Sequence, residues 1–304
     1  MTVINMLSLG EEGIAVADEQ ASSYLRKYNI AQKLHPLITD KIIYGGSGPI
    51  DFTAEVYEIS KEKIKELNQL ISLRDAYSIV EETLMSLKNS MKNKLLKANL
   101  GVSLEDFLTG SLVILDKKLG EDVKTRSGQI LQHFEEISAV QILIGGLESE
   151  KFSIYNINSN GMSIKTSQPY SSIGSGSDES EKILSTYVSL LPRDKRDKIE
   201  RVDGLAKAIE ATNASERLNV GVGGTISIAH ITKDKIVMPD ENRCRLASEI
   251  VQGLTLRLLE KSQTYEMLDY LIFKNEDFDS VMEEFKNKVN GWENLDMILR
   301  GYKF

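Results

Sequence analysis

The sequence predicts an α+β fold, a four-layer αββα sandwich in which two antiparallel sheets pack together between helices, with an added helical region at the C-terminal end. Three observations lead to this fold class. Short β-rich runs separated by turn residues occupy 2–18, a second β-rich stretch begins near Val140, and apolar residues recur with helical period at 51–100 and beyond Pro239. Hairpins that alternate with groups of helices are typical of layered α+β proteins.

The N-terminal part of the chain is predicted to form strands. Residues 2–9 (TVINMLSL) and 14–18 (IAVAD) flank a glycine-containing turn, so they are expected to form a hairpin. Another strand pair surrounds Lys33. Its second strand, at 41–44, runs into the segment 45–49 (GGSGP), where the backbone must turn tightly or approach another group closely.

Helices are predicted for the next stretch, because apolar residues at 51–100 follow a period of 3.6. Ser103 has the features of a cap for a further helix, with acidic residues in the first turn after it. Strands return at 139–146, an almost continuous apolar run typical of a strand buried on both faces, and at 152–157.

The last third of the chain repeats this alternation. Ser177 is predicted to be the N-cap of a helix, and a second helix includes Leu205, Ala208 and Ile209. A strand pair follows at 223–228 and 235–237. Every apolar pattern after Pro239 is helical. We therefore predict one domain at 1–238, with a helical insertion at about 75–135, and a helical extension at 239–304.

Composition excludes several classes of function. The 304 residues carry 37 Lys and Arg against 45 Asp and Glu, a net charge of −8 with no basic tract, so neither nucleic acid nor an anionic membrane is an expected partner. Cys244 is the single cysteine, and the three histidines lie far apart, so no disulfide, structural metal or cofactor is expected. No apolar run approaches the roughly 20 residues that span a bilayer. These features favour a cytoplasmic protein.

Thr2 is the first candidate for catalysis. A methionine that precedes a small residue is normally removed, so Thr2 is expected to become the amino terminus and to carry a hydroxyl and a free amine on one residue. A threonine hydroxyl is a weak nucleophile that requires an adjacent base, and a terminal amine with an unperturbed pKa of about 8 can supply it.

Four further segments follow Thr2 in a consistent order. Asp18 lies sixteen positions after Thr2 in ADEQAS, and Lys33 comes shortly before a predicted strand. Gly46 lies in GGS, and Ser175 in GSG. From Thr2 to about Val237 the chain resembles a proteasome β subunit, a member of the N-terminal-nucleophile (Ntn) hydrolases, with extra sequence in the helical region.

The resemblance implies a role for each of these residues. Thr2 is the nucleophile, the Gly46 N–H stabilises the oxyanion, and Ser175 lies close to the amine of Thr2. The Lys33 ammonium favours the alkoxide and lowers the pKa of the amine, while Asp18 pairs with Lys33 and holds it in place. Backbone donors of an oxyanion hole each lower the barrier by about 3 kcal/mol.

Two features depart from the family. Lys33 lies one residue short of the usual spacing, a difference that a loop between strands can absorb. The family has D-x-x-S-G-G, whose aspartate and serine complete the hydrogen bonding around the terminal amine. This chain has NVGVGG, with Asn219, a candidate catalytic residue, at the aspartate position and Val222 at the serine position. Loss of a charge-assisted hydrogen bond costs about 1.5–3 kcal/mol, so the resemblance implies slower catalysis rather than none.

The resemblance implies a threonine peptidase or amidase that cleaves a peptide or protein substrate through an acyl-enzyme on Thr2. Two alternatives stay open. A transpeptidase or protein ligase would transfer the same acyl group to an amine, and a catalytically inert relative would use the fold for binding or assembly. Association of several copies into a homo-oligomer is a further expectation.

Overall fold

The computed structural model describes residues 2–23, 26–28, 32–67, 71–110, 117–219 and 222–290. The strands within these ranges are β1 (Ile4–Ser8), β2 (Gly13–Asp18), β3 (Ala21–Ser23), β4 (Arg26–Tyr28), β5 (Leu34–Ile38), β6 (Ile42–Ser47), β7 (Gln141–Glu148), β8 (Lys151–Ile157), β9 (Ser163–Lys165), β10 (Tyr170–Ile173), β11 (Ile226–Ile231) and β12 (Ile236–Val237). The α-helices are α1 (Ile50–Glu66), α2 (Leu73–Leu100), α3 (Leu104–Thr109), α4 (Lys117–Ile137), α5 (Ser177–Leu190), α6 (Arg201–Leu218), α7 (Glu241–Thr255), α8 (Lys261–Leu268) and α9 (Phe278–Lys288).

Two five-stranded antiparallel sheets form the centre of the architecture. The first has the order β10-β1-β2-β11-β12 and the second the order β5-β6-β7-β8-β9. The predicted N-terminal hairpin is confirmed, because β1 pairs antiparallel with β2 and Ile4 lies opposite Ala17. The predicted C-terminal strand pair is confirmed as β11 and β12. The result is a mixed α/β arrangement compatible with the predicted α+β sandwich.

The described residues divide into two compact units, one from 1–47, 142–156 and 165–304 and the other from 48–141 and 157–164. In the first unit the two sheets pack face to face. Alternate residues of β1 and β2, such as Met6 and Ala15, lie in one apolar cluster with residues of the second sheet, such as Ile43 and Phe152. The apolar contact between the sheets therefore comes from the period of two along each strand.

The opposite face of the first sheet is covered by helices. Leu7 and Val16, which alternate with the residues of the inter-sheet cluster, pack with apolar side chains of α5 to α9. The helices after Pro239 contribute to this same core, as Ile250, Met267 and Phe285 are fully buried in it. None of the described helices combines the length and the apolar composition needed to cross a membrane.

The second unit is mainly helical. Ser72 and Ser103 begin α2 and α3 with capping boxes, which confirms the predicted cap at Ser103. Gly101 and Gly110 end these helices in the left-handed conformation. Lys88 is buried in this unit and donates to Glu135 at 2.6 Å and to the Ser159 carbonyl at 2.5 Å.

The predicted cap at Ser177 is wrong. The helix α5 begins at Ser177 itself, its N-cap residue is Gly176, and no side chain caps it. Gly176 occupies the cap position because its carbonyl accepts the first helical hydrogen bond, from the Ser180 N–H at 3.3 Å.

Candidate functional site

Thr2 lies at the entrance to β1 and is 7% exposed. Its backbone nitrogen donates to Ser175 Oγ at 3.2 Å, and its carbonyl accepts from the Gly176 N–H at 3.2 Å. Both partners come from the short connection between β10 and α5. Because β10 is the antiparallel neighbour of β1, with Ile173 opposite Ile4, this connection necessarily reaches the start of β1.

Asp18, the last residue of β2, is 1% exposed and accepts three hydrogen bonds. Its Oδ1 accepts from the Val3 N–H at 2.8 Å and from Lys33 Nζ at 2.8 Å, and its Oδ2 accepts from the Gly223 N–H at 3.2 Å. The register of β1 and β2 places Asp18 beside Val3. The carboxylate therefore links Lys33 to the residue that follows Thr2.

Lys33 lies immediately before β5 and is buried. Burial lowers the pKa of its ammonium group, and the negative charge of Asp18 partly offsets this shift. Burial raises the pKa of Asp18, while the charge of Lys33 and the donors on Lys33, Val3 and Gly223 act in the opposite direction. Lys33 therefore gives up its proton more readily than a lysine in water does.

Gly174 is required by the geometry around Thr2. It has a φ of +95°, in the left-handed region that favours glycine, and an added Cβ would lie 2.2 Å from the Thr2 carbonyl oxygen and 3.0 Å from Ser47 Oγ. The GSG segment pointed to Ser175, but this close approach of Gly174 to Thr2 was not predicted. The signal was available in the glycine pair that flanks Ser175.

The Gly46 N–H, the expected oxyanion donor, has a partner in this structure. It donates to the Lys33 carbonyl at 3.3 Å, as part of the pairing that continues from β5 and β6. Binding of an oxyanion by Gly46 would therefore replace this long hydrogen bond.

Asn219 is not brought together with the Thr2 nitrogen in any described hydrogen bond. It is the C-cap residue of α6, and both its backbone N–H and its side-chain Nδ2 donate to the Ser215 carbonyl, at 2.9 and 3.2 Å. A short amide side chain at a helix end readily satisfies the free carbonyls of the last turn. Val222 is 3% exposed, and the two residues between it and Asn219 lie outside the described residues.

Two participants were missed by the sequence analysis. Gly223 donates its N–H to Asp18, and Ser215 on α6 donates to the Gly176 carbonyl at 2.7 Å. Neither has a local sequence signal, because the Gly223 contact depends on the pairing of β11 with β2, and the Ser215 contact depends on how α6 packs against the segment before α5. Among the described residues, no group of three or more His, Cys, Asp or Glu side chains is arranged to hold a metal ion.

Thr2, Asp18 and Lys33 are buried, and the exposed Ser175 contacts the Thr2 nitrogen. The Val3 N–H, next in the chain, connects Thr2 to the Asp18–Lys33 pair. A buried carboxylate paired with an ammonium group of lowered pKa, and bonded to the residue that follows a threonine, is a chemical basis for activating that threonine as a nucleophile. A scan against models of known protein families finds no match, and a search of curated proteins finds none.

Proposed function

We propose that the protein is an N-terminal threonine peptidase or amidase of the proteasome-like Ntn type, with Thr2 as nucleophile after removal of Met1. The observation that carries the proposal is the hydrogen bond from the Thr2 nitrogen to Ser175 Oγ, together with the Asp18 carboxylate that accepts hydrogen bonds from both Lys33 Nζ and the Val3 N–H. Four residues from separate parts of the sequence support this site, namely Thr2, Asp18, Lys33 and Ser175. Their side chains suit the proposed chemistry.

The chemistry begins with transfer of the Thr2 hydroxyl proton to its own amine. Thr2 Oγ1 attacks the carbonyl carbon of the scissile amide, and the ammonium group returns its proton to the leaving amine, which leaves an ester on Oγ1. Water then adds to this ester with the amine as base, and the carboxylic acid is released. In this mechanism the positive charge of Lys33 favours the alkoxide, and Asp18, at 2.8 Å from Lys33 Nζ, holds Lys33 in place.

Intact-mass measurement combined with labelling tests the proposal. The mature protein should lack methionine and should gain one acyl group from a β-lactone, a reagent that acylates nucleophilic hydroxyls. Thr2→Ala should abolish the adduct, Thr2→Ser should retain it, and the matched control Thr186→Ala, at an exposed position of α5, should label as the wild type does. Retention of Met1, or equal labelling of Thr2→Ala, would overturn the proposal.

One observation favours a second candidate, a non-catalytic binding or assembly protein. The Asn219 amide donates to the end of its own helix, and buried Val222 has no polar group to offer the amine. In that case the processed wild type would take up no label, although removal of Met1 has generated the Thr2 α-amine.

Product analysis with an added amine separates hydrolysis from transpeptidation, because only a transpeptidase would join the acyl group to that amine.

A further inference from the structure

A pair of buried hydroxyl groups lies behind the Ser175 segment. Ser180 on α5 and Ser215 on α6 are both fully buried, and their Oγ atoms are 2.9 Å apart. Ser215 Oγ is 2.7 Å from the Gly176 carbonyl and 3.2 Å from the Ala211 carbonyl of its own helix. Because a hydroxyl has one proton, the shorter contact assigns the Ser215 proton to Gly176, and the Ser180 hydroxyl can then donate to Ser215 Oγ.

The Gly176 peptide is held from both sides. Its N–H donates to the Thr2 carbonyl at 3.2 Å, and its carbonyl accepts from Ser215. The surroundings of Gly176 are also closely packed, since an added Cβ would lie 2.9 Å from Ser215 Cβ and 3.1 Å from Val3 Cβ. A change at Ser215 therefore reaches Thr2 through a single residue.

We propose that Ser215, supported by Ser180, is a positioning residue that orients the Gly176 peptide and thereby places the Ser175 hydroxyl against the Thr2 nitrogen. This inference rests on the proposed function of Thr2. A buried helical serine can satisfy its hydroxyl with the carbonyl four residues earlier. Ser215 instead makes its shorter contact with the segment that carries Ser175.

The expected kinetic effect follows from this indirect role. Ser215 contacts neither Thr2 nor the Ser175 side chain in any described hydrogen bond, so its loss should leave reagent binding unchanged. Misalignment of the amine and its hydroxyl partner should slow the acylation step, because reaction rates depend steeply on the geometry of the reacting groups. One neutral hydrogen bond corresponds to about a tenfold change.

The test compares β-lactone acylation of the processed wild type, Ser215→Ala and Ser180→Ala. Ser215→Ala should lower the limiting acylation rate about tenfold and leave the half-saturating concentration unchanged, while Ser180→Ala should give a smaller decrease. The matched control is Ser60→Ala, a fully buried serine in α1 whose hydroxyl has no hydrogen-bond partner among the described residues. This control should acylate as the wild type does.

A second measurement is independent of catalysis. Amide hydrogen exchange should be faster at Gly176 in Ser215→Ala than in the wild type, and circular dichroism establishes that the variant is folded. Wild-type acylation rates and wild-type exchange in both serine variants would overturn the inference.

Failure of the proposed function has a different signature, namely labelling that survives Thr2→Ala. If the wild type does not label, or if Ser215→Ala does not fold, exchange at Gly176 in Ser180→Ala decides: faster exchange supports the inference, and wild-type exchange overturns it.

Discussion

Asp18 is a residue whose surroundings define its charge state. A carboxylate that is 1% exposed has lost its hydration, and the structure supplies one ammonium group and two backbone N–H groups instead. Removal of one partner of such a buried pair leaves an uncompensated charge, whereas replacement of both partners by neutral groups avoids this cost. The pair can therefore be tested through stability as well as through activity.

Lys33→Met should lower the free energy of unfolding by about 3–5 kcal/mol, because it leaves the Asp18 carboxylate buried without its cation. The double variant Asp18→Asn/Lys33→Met should be more stable than Lys33→Met alone, since the buried charge is gone. Urea denaturation measures both. Equal destabilisation of the single and double variants would contradict the assignment of a charged Asp18. The β-lactone should acylate Thr2 in neither variant.

At this scale the sequence predicted some contacts and missed others for a physical reason. Asp18, Lys33 and Ser175 lie at strand ends or in strand connections, so a correct strand order brings them together. Gly46 and Asn219 were assigned roles that depend on free hydrogen-bonding groups. The Gly46 N–H donates to Lys33 and the Asn219 amide donates to Ser215, and this local competition was not visible in the sequence.

At the scale of elements, α6 is joined to the site-bearing strands by polar side chains as well as by apolar packing. One turn before Ser215, Thr212 Oγ1 accepts from Asn5 Nδ2 at 2.9 Å, and Asn5 Oδ1 accepts from Ser172 Oγ at 2.6 Å. All three groups are buried. Helix α6 is therefore held in register against β1 and β10, which carry Thr2 and Ser175 at their ends.

The N-terminal turn of α6 makes a different junction. Asp203 accepts hydrogen bonds from Tyr187 of α5, at 2.5 Å, and from Tyr265 of α8. Burial and the Asp203 carboxylate raise the pKa of both tyrosines, so both remain donors under ordinary conditions. One carboxylate thus joins three helices.

Tyr265→Phe should lower the free energy of unfolding by about 1.5–3 kcal/mol, because it removes a hydrogen bond to a partly buried carboxylate. The matched control is Tyr270→Phe, which removes an exposed hydrogen bond to Glu266 and should change stability by less than about 0.5 kcal/mol. Thermal and urea unfolding measure both variants. Equal effects of the two substitutions would contradict the role of the Asp203 junction.

Helical and strand periods predicted which elements exist, and the structure then shows which faces of β1 and β2 pack. The start of α5 could not be predicted in this way. A serine beside a helix is a good cap in isolation, but Gly176 is the cap residue because its carbonyl accepts the first helical hydrogen bond from the Ser180 N–H. A boundary that differs by one residue depends on such backbone geometry and not on the serine side chain.

At the scale of the whole chain, the residues after Pro239 were predicted as an extension and their described helices share the main core. Leu246, Ile250, Met267, Leu271 and Phe285 are each no more than 1% exposed, in a cluster that also includes residues of the first sheet. The sequence identified amphipathic helices there, but an apolar stripe does not reveal which surface it covers.

A chain ending at Pro239 should therefore fail to fold cooperatively. Burial of a large apolar side chain contributes about 1.5–3 kcal/mol, and the loss of five such contributions approaches or exceeds the 5–15 kcal/mol by which proteins are typically stable. Differential scanning calorimetry should show no cooperative transition for 1–239, and addition of a separate 240–290 peptide should restore one. A cooperative transition at the wild-type temperature without that peptide would contradict this prediction.

The burial of Lys33 also bears on chemical tagging of the protein. Lysines such as Lys182 and Lys261, with side chains 70% and 66% exposed, can reach a dye or biotin ester, whereas the Lys33 amine, at 6%, is shielded by the surrounding fold. Fluorophores or surface-immobilisation linkers can thus be attached through ordinary amine coupling while the ammonium group next to Asp18 stays unmodified.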